Sequence, residues 1–173
     1  IIEILDGQSQ AWGASSGDLI ANSLGSLFAI GQALQWDEQR IQLKYSYTPS
    51  IWAQENPDQL GTNHIERALK DYNGQTYWLS FNIRSLFKSY TESFPPWLSL
   101  SIGHGANKMI NPYQEDGEKR ERQYFLSFDV DLNKIKTKNK TLNSVLHTFG
   151  FLKFPMPAIE WTNNKMYWHL IYY

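Results

Sequence analysis

Hydrophobic positions along this chain follow two periods, and the change between them falls near residue 40. Within residues 14–35, Leu19, Leu24, Leu27, Phe28, Ile30 and Leu34 surround two stripes at four-residue spacing. One stripe is polar (Asp18, Asn22, Ser26) and the other small (Ala21, Gly25, Ala29, Ala33). This spacing predicts a helix, with Ser15 and Asp18 placed as a capping box and the Asp18 carboxylate at the positive end of the helix dipole. The small stripe suits close approach of another backbone, either in a membrane helix pair or in a tight soluble bundle. The apolar run from Leu19 to Leu34 has 16 residues, short of the ~20 that span a bilayer, so a spanning helix is not expected.

From residue 40 onward the period becomes two. Ile41, Leu43, Tyr45 and Tyr47 alternate with Gln42, Lys44 and Ser46 until Pro49 stops the run, which predicts a strand over 40–47. A loop over 49–61 follows, then a short helix capped by Asn63 and Glu66 and ending at Lys70, then a turn at 71–74. Alternation resumes over 75–87, 97–103 and 124–132, where Leu79, Phe81, Leu100, Ile102, Leu126 and Phe128 oppose Ser80, Asn82, Ser99, Ser101, Ser127 and Asp129. Residues 111–122 are charge-dense and read as a solvated loop. Lys134, Lys136, Lys138 and Lys140 lead into an amphipathic segment with Leu142, Val145, Leu146, Phe149 and Leu152, suited to an anionic lipid surface or to a solvated linker. Residues 158–161 and 166–173 form a hairpin around 162–165.

The expectation is therefore an α+β chain, 1–173, in one domain. Residues 1–38 supply packed helices, and 39–173 supply an antiparallel sheet or incomplete outer-membrane-type β-barrel of about six strands, with short helices near 62–72 and 141–153.

Composition narrows the classes. With 42% hydrophobic and 19% charged residues the chain is too apolar for a disordered segment. Sixteen Lys+Arg against 17 Asp+Glu leave no global field for nucleic acid, and the absence of Cys removes disulfides, thiolate metal sites and cysteine nucleophiles. Aromatics reach 15% although mean hydropathy is -0.48, an excess that membrane interfaces favour. The opening Ile1-Ile2-Glu3-Ile4-Leu5 lacks an initiator Met or a signal peptide, so the chain is expected to be the C-terminal portion of a longer precursor.

An alternating strand says only that its two faces meet different environments. In a soluble sheet the apolar face meets helices and the polar face meets water, whereas in an outer-membrane barrel the apolar face meets lipid and the polar face lines the interior. Runs of about 9 to 13 residues, Trp and Tyr near strand ends and the closing run Met166-Tyr167-Trp168-His169-Leu170-Ile171-Tyr172-Tyr173 favour the envelope. Against it, a closed single-chain barrel takes ~8 strands.

Glu3-Ile4-Leu5-Asp6, Trp12-Gly13, Ser16, Asp18, Asn22 and Gly25 resemble the second half of the YfiM-like family of predicted periplasmic lipoproteins, itself distantly similar to VanZ-like proteins. The string from Leu69 to Ser80, with Trp97-Leu98 and Gly103-His104-Gly105-Ala106, resembles the long, Bacteroidetes-type form of that family. The resemblance implies an envelope address, at the outer membrane or its periplasmic face, and little chemistry. The Asp-Lys-x-x-His helix of the family's first half does not occur in this sequence.

Candidate chemistry is sparse. Glu3, Asp6, Asp18 and Asn22, joined by the histidine of that family helix, would make a polar cluster for proton transfer or a metal, but Asp18 also reads as a cap and Asn22 as a backbone partner. His104 lies between two glycines, as a functional loop residue or an exposed turn residue, and His64 with Glu66 does not share a helix face. His147 and His169 read as structural, and Asp129, Asp131 and Arg84 either pair inside a barrel or face water. No G-x-S-x-G, HExxH or phosphate loop occurs, so no cofactor or metal is called for. The leading expectation is a non-catalytic structural or accessory subunit of a cell-envelope complex, with outer-membrane lipid and envelope proteins as partners. The alternatives are an envelope enzyme on a lipid or cell-wall substrate, using the N-terminal carboxylates, and a soluble periplasmic binding module.

Overall fold

The computed structural model describes residues 16–87, 93–110 and 119–173. Two compact units meet at Arg40 and Ile41 in the chain. In the first, α1 spans Ser16–Trp36. It stops at Asp37, which takes a positive φ of 56° and donates its N–H to the Ala33 carbonyl at 2.9 Å. Leu19, Leu24, Leu27, Ile30 and Leu34 are exposed, and a Cβ built on Gly25 meets no described atom within 4 Å. Close backbone approach along the small stripe, expected from its spacing, is therefore not seen among the described residues. No described helix is long and apolar enough to cross a membrane, which says nothing of strands.

The second unit holds a six-stranded antiparallel sheet in sequence order. Its strands are β1 (Ile41–Tyr47), β2 (Gln75–Asn82), β3 (Leu98–Asn107), β4 (Glu121–Val130), β5 (Met156–Thr162) and β6 (Lys165–Tyr172). Between β1 and β2 run three short helices, α2 (Ile51–Glu55), α3 (Pro57–Leu60) and α4 (His64–Lys70). The first two occupy the stretch expected to be a loop. Ser50 caps α2 by accepting from the Ala53 N–H, and Pro57 opens α3. Asn63 caps α4 as expected.

The β3–β4 ladder is longer than the periodicity indicates, with β3 running to Asn107 and β4 starting at Glu121, and three other ends differ for a local cause. β2 stops at Asn82 rather than running to 87, because the Asn82 side chain accepts from Ser85 N and starts α5 (Ile83–Leu86). β4 stops at Val130, where Asp131 caps a 3₁₀ turn over Leu132–Lys134. Helix α6, capped by Asn139, covers Lys140–Thr148 and not 141–153. The β5–β6 turn is the two-residue type expected, with Asn163 and Asn164 at φ 51° and 59°.

The sheet curls strongly. Trp78 on β2 and Tyr172 on β6 are four strands apart, about 19 Å in a flat sheet, yet their ring centroids lie 5.9 Å apart. The Tyr172 hydroxyl is 3.0 Å from the Thr76 hydroxyl. The sheet does not close into a complete cylinder. Tyr45 on the β1 edge is taken by residues 151–153, with Tyr45 N donating to Phe151 O and Lys153 N to Tyr45 O, both at 2.9 Å, while β6 ends the strand order.

Candidate functional site

In the curled sheet the polar face is buried and the apolar face exposed. Ser80, Ser101 and Ser127 lie in one cross-strand row and Asn82, Ser99 and Asp129 in the next, and all six are buried. The opposite face presents Leu43, Leu79, Ile102, Leu126, Ile159 and Trp168 in a single row across all six strands. Leu43 is 56%, Ile102 52% and Leu126 44% exposed, against 0% for Ser101 and Asp129. Flanking it on one side is the row Ile41, Phe81, Leu100 and Phe128, and on the other an aromatic row of Tyr45, Tyr77, His104, Tyr124 and Trp161.

Most polar groups on the concave face survive burial because side chains and backbone carbonyls satisfy them, although the buried Ser101 hydroxyl has no partner. The Asp129 carboxylate accepts from Lys44 Nζ at 2.8 Å, Ser80 Oγ at 2.7 Å and Phe154 N at 3.1 Å. A second ammonium, Lys153 Nζ, lies 3.9 Å from the same carboxylate. It donates to the Phe128 and Phe154 carbonyls and sits 4.9 Å from the Trp78 ring centroid. Lys44 also donates to Val130 O at 2.8 Å. Two cations thus share one carboxylate and are completed by backbone oxygens. Residue 153 is thereby tied to β4 and, through Tyr45, to β1.

Nearby, Glu160 accepts from Gln123 Nε2 at 2.8 Å and Thr162 Oγ1 at 2.7 Å, and its other oxygen is 2.7 Å from His169 Nε2. Between the two networks lies an aromatic wedge in which Trp78, Phe125 and Tyr172 pack tilted or edge-on, with ring centroids 4.5–5.9 Å apart. Trp78 donates to Ser46 Oγ at 2.8 Å. Gly103 makes room for this ring, since a Cβ there would stand 2.7 Å from it.

The described residues among those singled out from sequence are spread over separate elements. Glu3 and Asp6 lie outside the described residues. Asp18 sits in the first turn of α1 with its side chain outside the described set, and Asn22 is exposed one turn on. His104 is neither in a loop nor in a turn. It is a β3 residue on the aromatic row, 5.2 Å from the Tyr124 ring. Of the glycines beside it, Gly103 makes room for the Trp78 ring and a Cβ on Gly105 would stand 3.3 Å from the Gln75 carbonyl, and neither takes a positive φ. Asp129 pairs with the buried lysines, and Asp131 accepts from Asn133 N and Asn82. Lys44, Lys153 and Glu160, the other members of the networks, drew no attention in sequence. A lysine on the polar side of an otherwise uncharged strand was the available signal for Lys44. No group of three or more metal-ligating side chains occurs among the described residues. No protein-family model, curated protein or solved structure matches the chain.

Proposed function

We propose that the chain is a non-catalytic structural or accessory component of a cell envelope, its curled sheet forming an incomplete outer-membrane-type barrel. The apolar face lies against lipid hydrocarbon at the outer membrane. One observation carries this reading, the reversal of burial between the two faces. Leaving a leucine-sized side chain in water forfeits about 1.5–3 kcal/mol of burial, and soluble monomers rarely expose contiguous apolar patches beyond a few hundred Å². A bilayer removes that penalty for the convex face, while the charged groups of the concave face stay paired. From Leu98 to His104 the exposed band runs about 20 Å along β3, close to the ~25 Å apolar band of such barrels. The aromatic row at one margin matches the girdle that forms where hydrocarbon meets headgroups. The resemblance to YfiM-like envelope proteins agrees with this address.

Among the described residues no strand lies beyond β6, which supports the envelope-complex part of the reading. Backbone N–H and C=O groups cannot face hydrocarbon unpaired, so on this reading a further segment, of this chain or of a partner, covers the β6 edge. The test is fractionation. The protein should partition with outer membranes and need detergent for extraction, and recovery of a monodisperse, detergent-free monomer overturns the reading.

A second reading, an envelope enzyme on a lipid or cell-wall substrate, draws on one observation. Glu160, itself held by Gln123 and Thr162, orients His169 through a 2.7 Å contact, an arrangement suited to a general base. Under that reading His169→Gln abolishes cellular function in a protein of normal abundance. Under the first it does not.

A further inference from the structure

Beyond the aromatic row, toward the β3–β4 connection, the outward face changes character again. The next cross-strand pair is Ala106 and Arg122, with Arg122 exposed. Beside it lies a cavity of about 750 Å³ lined by His104, Met109, Lys119, Arg120, Arg122 and Asn163, among others. Among the described residues the one lining carboxylate, Glu121, is already engaged by Lys108 and by Asn107 at 3.2 Å, so the other charged side chains described in the lining, Lys119, Arg120 and Arg122, are cationic. Among the described residues no ion pair or side-chain hydrogen bond holds Lys119 or the Arg122 guanidinium. The wall is fixed rather than loose. Asn73 clamps Met109 through both its backbone groups, at 2.6 and 3.0 Å, and the Trp52 indole donates to Asn107 at 2.8 Å.

The order along β3 and β4 is therefore aliphatic (Ile102, Leu126), aromatic (His104, Tyr124), then cationic (Arg122). This is the order of hydrocarbon, interface and phosphate in a leaflet. We propose that this cavity binds the phosphate of an anionic membrane lipid headgroup. Arg122 and Lys119 supply the charge, with Arg122 offering the forked donor geometry that suits phosphate. His104, whose ring lies 5.2 Å from that of Tyr124, lines the cavity on the side of the aromatic row, at the level of the acyl ester. The volume falls within the usual range for small-ligand sites. The proposal rests on the membrane-facing reading above and deepens it by naming the lipid class.

The experiment reconstitutes the full chain into phosphatidylcholine vesicles with and without a minority of phosphatidylglycerol, and measures retained lipid after mild extraction. Soluble glycerol phosphate is the competing probe. Wild type should retain phosphatidylglycerol preferentially. Lys119→Gln and Arg122→Gln should each cut that preference by about fivefold while insertion into phosphatidylcholine is unchanged. Insertion with no preference, or a preference that survives the double substitution, overturns the proposal and leaves the membrane reading standing. Failure to insert in either vesicle overturns both. Saturable glycerol phosphate binding in that case reassigns the cavity to a free phosphate.

Discussion

Removing the Asp129 carboxylate tests whether the concave face is a designed interior. Asp129→Ala deletes the acceptor for Lys44 and Ser80 and for Phe154 N, and leaves Lys153 without its nearest anion. Both ammonium groups are fully buried, so neither reaches bulk water without local opening. What remains for Lys44 is the Val130 carbonyl, and for Lys153 the Phe128 and Phe154 carbonyls. Breaking a buried ion pair from one side costs about 3–5 kcal/mol, a large part of the ~5–15 kcal/mol that keeps a domain folded. Asp129→Asn keeps the shape and one acceptor oxygen, so it should cost less, about 1–3 kcal/mol. Pairing Asp129→Leu with Lys44→Met should be milder than Asp129→Leu alone, because the orphaned charge leaves with its partner. Urea titration of the protein in detergent micelles, followed by tryptophan fluorescence, reads all four variants, with Trp78 beside the network as reporter. An Asp129→Ala protein within about 1 kcal/mol of wild type, or a double variant no better than the single, would refute the reasoning.

Other perturbations separate packing from exposure. Gly103→Ala sets a methyl 2.7 Å from the Trp78 ring and should cost about 1–3 kcal/mol in the same titration. Gly25→Leu meets open space and should leave the unfolding midpoint unchanged or raised. Glu66 accepts from the Thr62 N–H and hydroxyl beside the start of α4, and these bonds hold its carboxyl below the usual carboxylate range. Its contribution is therefore complete above the ordinary carboxylate pKa and is lost as pH falls through the lowered value. Amide exchange of α4 should accelerate in that acid window in wild type, and Glu66→Gln should remove the pH dependence.

Much of the sheet was legible because alternation is a local property. Leu79 and Ser80 announce opposite faces whatever surrounds them, and the Asn163-Asn164 turn carries its own backbone preference. Which face lies inside was not legible, since a leucine row against lipid and a leucine row against helices read alike. That choice appears only when β2 and β6 are seen to approach through Trp78 and Tyr172, a contact between residues far apart in sequence. The interior charges were hidden for the same reason. Lys153 belongs to the connector between α6 and β5, and nothing near it in sequence predicts a carboxylate on β4. A Gly-His-Gly string signals a turn, but here it lies inside β3, where Gly103 admits the Trp78 ring of the neighbouring strand. The strand that ended early at Asn82 did so through a side-chain cap, which competes with the ladder without changing the hydrophobic pattern.

The central claim, that the apolar rows face hydrocarbon, is tested most directly by spin-label accessibility. The chain has no cysteine, so single labels can be placed by Leu79→Cys, Ile102→Cys and Leu126→Cys on the outward row, with Tyr124→Cys at its margin. In outer-membrane-lipid vesicles the account predicts frequent collision of the outward-row labels with dissolved oxygen and little with a water-soluble nickel chelate, the chelate gaining access only at Tyr124→Cys. Free access of the chelate to Leu79→Cys, Ile102→Cys and Leu126→Cys would place that face in water and contradict the account.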